Sequence, residues 1–206
     1  MLKVWGRPNS VNVQKVMWTV AELGLPHERI DVGGAFGGLD TPDYGARNPN
    51  RLIPVLEDGD TVVWESNAIV RYLAACYGAG SLWPEDPARR ADADRWMDWQ
   101  LTTVQPAMGP VFIGLVRTPP ERRDTAAIKA HAQRLVEAMR LLDGHLAGRR
   151  FVAGDALTMG DIPLGCVCWR YLELAIDRPD LPSLTSWYQS LTARPAYREH
   201  VMIPLS

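Results

Sequence analysis

The segment from Asn48 to Ser66, NPNRLIPVLEDGDTVVWES, constrains the fold of this chain more than any other stretch. Within it Asp58-Gly59 separates two apolar runs, and a two-residue spacer of this kind favours a tight reversal because glycine accepts a positive φ without steric cost. An antiparallel hairpin is expected there. The residues before it follow another pattern. Leu2 to Trp5 is a short apolar run, and after Gly6, Pro8 and Asn9 come Val13, Val16, Met17, Val20 and Leu23, spaced as one face of a helix that stops at Gly24-Leu25-Pro26. His27 to Val32 reads as a second strand. Gly33 to Gly38 reads as a mobile glycine-rich loop, and Asp40 to Arg47 as a short polar segment. Beyond the hairpin, Ile69, Tyr72, Leu73 and Cys76 mark the inner face of a helix starting near Ser66. The order β-α-β-(α)-β-β-α predicts a mixed sheet with one parallel crossover and one antiparallel hairpin, an α/β unit.

Everything after this unit reads as helix. Tyr77 to Pro87, with Gly78, Gly80, Pro84 and Pro87, interrupts two periodic regions, which puts one domain at 1–79 and an all-α domain at 86–206. Asp86-Pro87 has the form of a helix cap and first turn, and Thr118-Pro119-Pro120-Glu121 repeats it with a glutamate available to close a capping box. A further box is expected at Thr158 and Asp161, with Leu157 packing on Ile162, and shorter helices over Ser183 to Ala193 and Tyr197 to Val201.

Composition removes several function classes. The 22 basic and 24 acidic residues are interspersed, with a net charge of -2, so neither nucleic acid nor an anionic membrane is a natural partner. Three cysteines, Cys76, Cys166 and Cys168, stand among apolar residues, which suits a reducing compartment rather than a disulfide scaffold. MLKVWGRPNS enters a strand directly, with no apolar run of signal-peptide length, and the expected location is the cytoplasm. Gly33 to Gly38 lacks the GxGxxG order of a dinucleotide loop.

Three places carry chemistry. Pro54 stands where a strand should begin and restricts Ile53 to an extended conformation. A trans edge-strand proline is the plain reading; a cis bond would turn the Ile53 backbone outward to pair with an extended peptide. Glu65-Ser66 follows a strand and opens a helix, where a hydroxyl and unpaired N–H groups suit a carboxylate; a simple N-cap is the other reading. Ser10 lies in the turn before the first helix, with Asn9 or Asn12 able to cap instead. No GxSxG elbow surrounds it and none of His27, His131, His145 and His200 pairs with it in sequence, so it reads as a donor to an anion rather than a nucleophile. A thiol of ordinary pKa near ~8.5 ionises at neutral pH when donors and a helix dipole favour the thiolate.

In this order the features resemble those of the glutathione S-transferases over essentially the whole chain: a strand, a Ser10-bearing turn, NPNRLIPVLEDGD, Trp64-Glu65-Ser66, an all-helical second half and the Thr158-to-Asp161 box. The resemblance implies a thioredoxin-like N-terminal domain with Pro54 in cis and an all-α C-terminal domain. It also implies glutathione as co-substrate and no metal. Ile53 would pair with the cysteinyl part, Glu65 and Ser66 would hold the γ-glutamyl end, and Arg51 could meet the glycine carboxylate. Ser10 matches the thiol-activating serine of the theta-like, delta-like and zeta-like classes, with Asn12 as second choice for the sulfur contact.

The acceptor that the resemblance implies is a small hydrophobic electrophile, bound between the domains in a homodimer that serves detoxification. Trp96, Trp99, Gln100, Thr103, Met108, Phe112, Leu115 and Trp169 could line its site, although at helical spacing such residues are more often core or dimer contacts. Two other readings stand beside transfer: a glutathione-dependent peroxidase or disulfide reductase, and a noncatalytic glutathione-binding interaction module on the same fold.

Overall fold

A computed structural model describes all 206 residues. Strand β1 (Leu2–Trp5) lies inside a four-stranded sheet of order β2-β1-β3-β4, formed with β2 (His27–Ile30), β3 (Val55–Asp58) and β4 (Thr61–Trp64). Helix α1 (Val11–Glu22) makes the crossover that leaves β1 and β2 parallel, with Leu2 opposite His27; β1 runs antiparallel to β3, with Val4 opposite Leu56. The short helix α2 (Pro42–Arg47) occupies the polar segment, and α3 (Ser66–Tyr77) packs beside α1. The mixed α/β sheet is thus the one expected.

Local details depart from the sequence reading for identifiable reasons. The hairpin turn is Gly59-Asp60 rather than Asp58-Gly59, since Asp58 pairs with Thr61 as the last rung. Its carboxylate takes hydrogen bonds from the Tyr72 hydroxyl at 2.9 Å and from the Tyr77 hydroxyl, which keeps Asp58 in the strand. Gly59, at φ 58, then takes the position that needs a positive φ. Strand β2 stops at Ile30 instead of Val32, because β1 ends at Trp5 and its last contact is the Gly6 N–H on the Ile30 carbonyl. Gly33 to Gly38 contains a single 3-10 turn over Gly34–Phe36.

The helical half begins with a rod: α4 (Pro87–Trp99), a π-helical turn (Gln100–Val104), α5 (Gln105–Phe112) and a second π turn (Ile113–Arg117). Asp86 caps α4 as its sequence suggests, accepting from the Ala88 and Arg89 N–H groups. Pro106 and Pro110 lack the N–H that regular pairing needs, and a shift to wider turns beside them accommodates the missing donors. The proposed cap at Thr118 is not used. Pro119 and Pro120 permit only a 3-10 turn (Pro120–Arg122), and α6 (Thr125–Leu146) starts later, capped by Asp124, which accepts from the Ala127 N–H at 2.9 Å.

Helix α7 (Asp161–Glu173) runs through the centre, followed by α8 (Pro182–Thr192) and α9 (Pro195–His200). Of the capping box only half forms: Asp161 accepts from the Thr158 N–H, but the Thr158 hydroxyl donates to the same carboxylate, and the Asp161 N–H bonds the Thr158 carbonyl instead. One hydrophobic core joins the halves, with Trp18 of α1 set edge-on to Tyr197 at 4.8 Å between ring centres. This approach needs a glycine at 165, where a Cβ would lie 2.7 Å from the Trp18 ring.

Candidate functional site

The first corner forms where β1 hands over to α1. Gly6, at φ 152, lets Val13 come so close that a Cβ there would lie 2.4 Å from a valine methyl. Ser10 occupies the N-cap position with extended backbone, and its carbonyl accepts from the Gln14 N–H at 2.9 Å. Its hydroxyl makes no capping bond. The donor is therefore uncommitted at a helix N-terminus, where the unpaired N–H groups of the first turn and the dipole favour negative charge. It faces a cavity of about 180 Å³ whose walls include Asn12, Gln105, Met108 and Phe112.

The second corner is the Ile53-Pro54 bond, which is cis. The loop ahead of it is pinned: the Leu52 carbonyl accepts from the Tyr44 hydroxyl at 2.8 Å and the Asn48 side-chain amide at 2.9 Å, and the Asn48 oxygen accepts from the Asn50 N–H. Tyr44 and Asn48 were not singled out in the sequence, although a buried asparagine between a helix and Asn50-Arg51 is the kind of residue that organises a turn. The backbone N–H and C=O of Ile53 take no part in intrachain hydrogen bonding. A strand-like edge one residue long is thereby available. Arg51, at φ 54, stands apart from it, since its guanidinium donates to the Leu39 and Thr41 carbonyls.

The third corner is the start of α3. Glu65 takes φ 70, a left-handed conformation costing roughly 1–2 kcal/mol for a residue with a Cβ, and its exposed carboxylate does not cap the helix. Ser66 is buried, and its hydroxyl donates to the Asn12 side-chain oxygen at 3.2 Å. This bond joins the first and third corners. It also commits the Asn12 oxygen, which leaves its amide N–H groups as the free donors beside Ser10.

Beneath Ser66 lies Lys15, which the sequence reading passed over. It is 0% exposed, and its ammonium donates to Ser66 Oγ at 3.4 Å, Asn67 Oδ1 at 3.2 Å and Gln100 Oε1 at 3.0 Å. All three acceptors are neutral, and Lys15 enters no ion pair. Burial pushes its pKa down to about 8. The signal in sequence was a lysine inside a helix, followed directly by the apolar run Val16-Met17-Trp18. Helix α1 is covered by the sheet and by α7, so the position that one-face periodicity leaves to solvent is enclosed.

Of the residues considered for an acceptor, Met108 and Phe112 line the Ser10 cavity. Trp96 is buried against Trp99 and His145, Gln100 is taken by Lys15, Thr103 is exposed, Leu115 lies in a groove with α6, and Trp169 donates to the Ile203 carbonyl. No group of three or more His, Cys, Asp or Glu residues is arranged to hold a metal ion. No helix is long and apolar enough to cross a membrane.

Residues 9–76 match the family model for the glutathione S-transferase N-terminal domain, and residues 125–190 match that for the C-terminal domain. The chain is 47% identical to glutathione S-transferase GstB of Escherichia coli K12, with 100% of both chains covered. It is 32% identical to glutathione S-transferase 3 of Zea mays, covering 99% of this chain and 95% of the relative. Among solved structures it is similar to the theta class glutathione S-transferase of Xanthomonas axonopodis pv. citri with glutathione bound, at a TM-score of 0.96 and 48% identity over 100% of this chain and 99% of the other.

Proposed function

The chain belongs to the glutathione S-transferase family, and from that premise we propose that it activates the glutathione thiol at Ser10 for transfer to a small electrophile. The observation that carries this reading is the Ser10 hydroxyl, free of any capping bond at the start of α1 and opening on a cavity with Met108 and Phe112. Glutathione lies over residues 1–79. Its cysteinyl amide pairs with the Ile53 backbone, its γ-glutamyl carboxylate meets the Ser66 corner, and Glu65 faces its ammonium. Residues 86–206 supply the acceptor side. The hydroxyl and the helix dipole favour the thiolate over the thiol. Sulfur then forms a bond to the electrophilic carbon, the leaving group departs with the electron pair of the broken bond, and the thiol proton goes to solvent.

Lys15 acts on this scheme from below. A buried cation without an anion of its own gains a partner when a carboxylate reaches Ser66. Lys15→Met is expected to raise the glutathione Kd roughly tenfold, a loss of ~1.4 kcal/mol, measured by calorimetric titration. For the native protein the affinity should fall as pH rises through about 8, where the ammonium loses its proton. An affinity unchanged in Lys15→Met would remove Lys15 from the site.

Retention on immobilised glutathione tests the binding corners, with folded protein expected to be held and to elute with free glutathione. Conjugation of a chloronitrobenzene, measured beside hydroperoxide reduction, separates transfer from the peroxidase reading; turnover of the arene is the expected result. Binding without either activity would leave an interaction module. The same reading extends to a homodimer acting in the cytoplasm in detoxification, for which exposed Val62, Trp64 and Leu101 offer apolar surface to a second copy.

A further inference from the structure

The cavity beside Ser10 carries charge that an apolar acceptor does not explain. Arg7, Arg117 and Arg170 all line it, and no aspartate or glutamate does. Neither Arg7 nor Arg170 belongs to an ion pair of the protein. Arg170 is 6% exposed and donates one bond, from Nη2 to the Asn9 carbonyl at 2.9 Å; its Nε is buried without a partner. Arg117 donates to the Ser206 main-chain oxygen, and the Arg7 side chain lies along Gly34. The guanidiniums of Arg170 and Arg117 sit 4.1 and 5.0 Å from the centre of the Phe112 ring.

Three guanidiniums this close repel one another. Burial, together with the charges of Arg117 and Arg7, pushes the Arg170 pKa down to about 10, and burial and Arg117 lower that of Arg7. A cluster of like charges persists at a site when a ligand of opposite charge relieves it, and guanidinium forks match carboxylates in particular. Val11, Met108, Phe112 and Ile113 complete the wall and offer an apolar surface to the rest of the molecule.

We infer that the acceptor of this site is a small electrophile carrying a carboxylate, held by Arg7, Arg117 and Arg170 while its reactive carbon meets sulfur at Ser10. This rests on the transferase reading above and replaces a purely hydrophobic acceptor with one that is apolar in body and anionic at one end. A single thiolate balances one positive charge of three. Arginines serving only the thiolate would speed every acceptor alike, whereas arginines serving a carboxylate act only on acceptors that have one.

The test compares a chloronitrobenzoate, chlorine para to the carboxyl and nitro ortho to chlorine, with the matching chloronitrobenzamide. In both, the C–S bond forms at the carbon that loses chloride, and chloride leaves with the bonding pair. kcat/KM is measured at saturating glutathione and divided by the uncatalysed rate constant of each arene, which removes their intrinsic difference in reactivity. The benzoate is expected to be favoured roughly tenfold or more, and Arg7→Gln and Arg117→Gln each to reduce that ratio severalfold. Arg170 is left intact because it is packed in the core. A benzamide turned over as well as the benzoate, or a ratio unmoved by both substitutions, overturns the inference and leaves the transferase reading standing. Turnover of neither arene overturns both.

Discussion

Ser10→Ala is expected to lower kcat about a hundredfold while changing the KM for glutathione less than about threefold, following the loss typical of a donor aimed at developing negative charge. The asymmetry comes from where the hydroxyl stands. It makes no capping bond, so its removal costs the fold little, and in the proposed binding mode the tripeptide is gripped elsewhere, at the Ile53 backbone, which has no intrachain hydrogen bond, and the Ser66 corner. What the hydroxyl favours is the ionised sulfur. The pH profile of kcat should therefore shift to higher pH in the variant, as the bound thiol regains a pKa nearer that of free thiol. Equal losses in kcat and in affinity would mean that Ser10 only positions glutathione. An unchanged rate would transfer the role to the amide of Asn12, whose N–H groups remain free because Ser66 engages its oxygen.

Asp161→Ala should destabilise the protein by about 3–5 kcal/mol, read from denaturant midpoints with an unchanged slope. Its carboxylate accepts from the Val152 N–H at 3.0 Å, the Thr158 N–H at 2.9 Å, the Trp187 indole at 3.0 Å and the Thr158 hydroxyl at 3.2 Å, all within the core. Truncation leaves two backbone donors and an indole buried without acceptors. Burial outweighs those donors and pushes the carboxyl up from 3.8 to about 6. The folded state consequently holds this proton more tightly than the unfolded chain does. Its contribution to stability is complete below pH 3.8 and is lost as pH rises through about 6. Asp161→Asn carries no such proton, so the stability advantage of the native protein over that variant should shrink between pH 4 and pH 7. An advantage constant over that range would show that the carboxylate is ionised throughout.

The two predictions differ in how visible their residues were. Ser10 could be read from its place between a strand and a helix, and Asp161 from its spacing to Thr158, because turns, caps and helix periodicity are local. The mixed sheet, the Asp86 cap and the Ile53-Pro54 and Glu65-Ser66 corners were legible for the same reason. Where the local signal misled, the causes were of two kinds: two tyrosine hydroxyls of α3 hold Asp58 in β3 from a distance along the chain, and Pro119-Pro120 delayed a helix to Asp124.

The sequence by itself determined the order of strands and helices and the three stretches of chain that form the corners of the candidate site. The tertiary structure alone decided what surrounds them. Lys15 is hidden because α1 is covered on two sides, Asn12 reaches from that helix to Ser66 at the start of α3, and Arg7, Arg117 and Arg170 converge from distant segments on the cavity at Ser10. Hydrogen bonds within a turn involve neighbours along the chain, whereas burial and electric field depend on every group that packing brings near, whatever its place in the sequence.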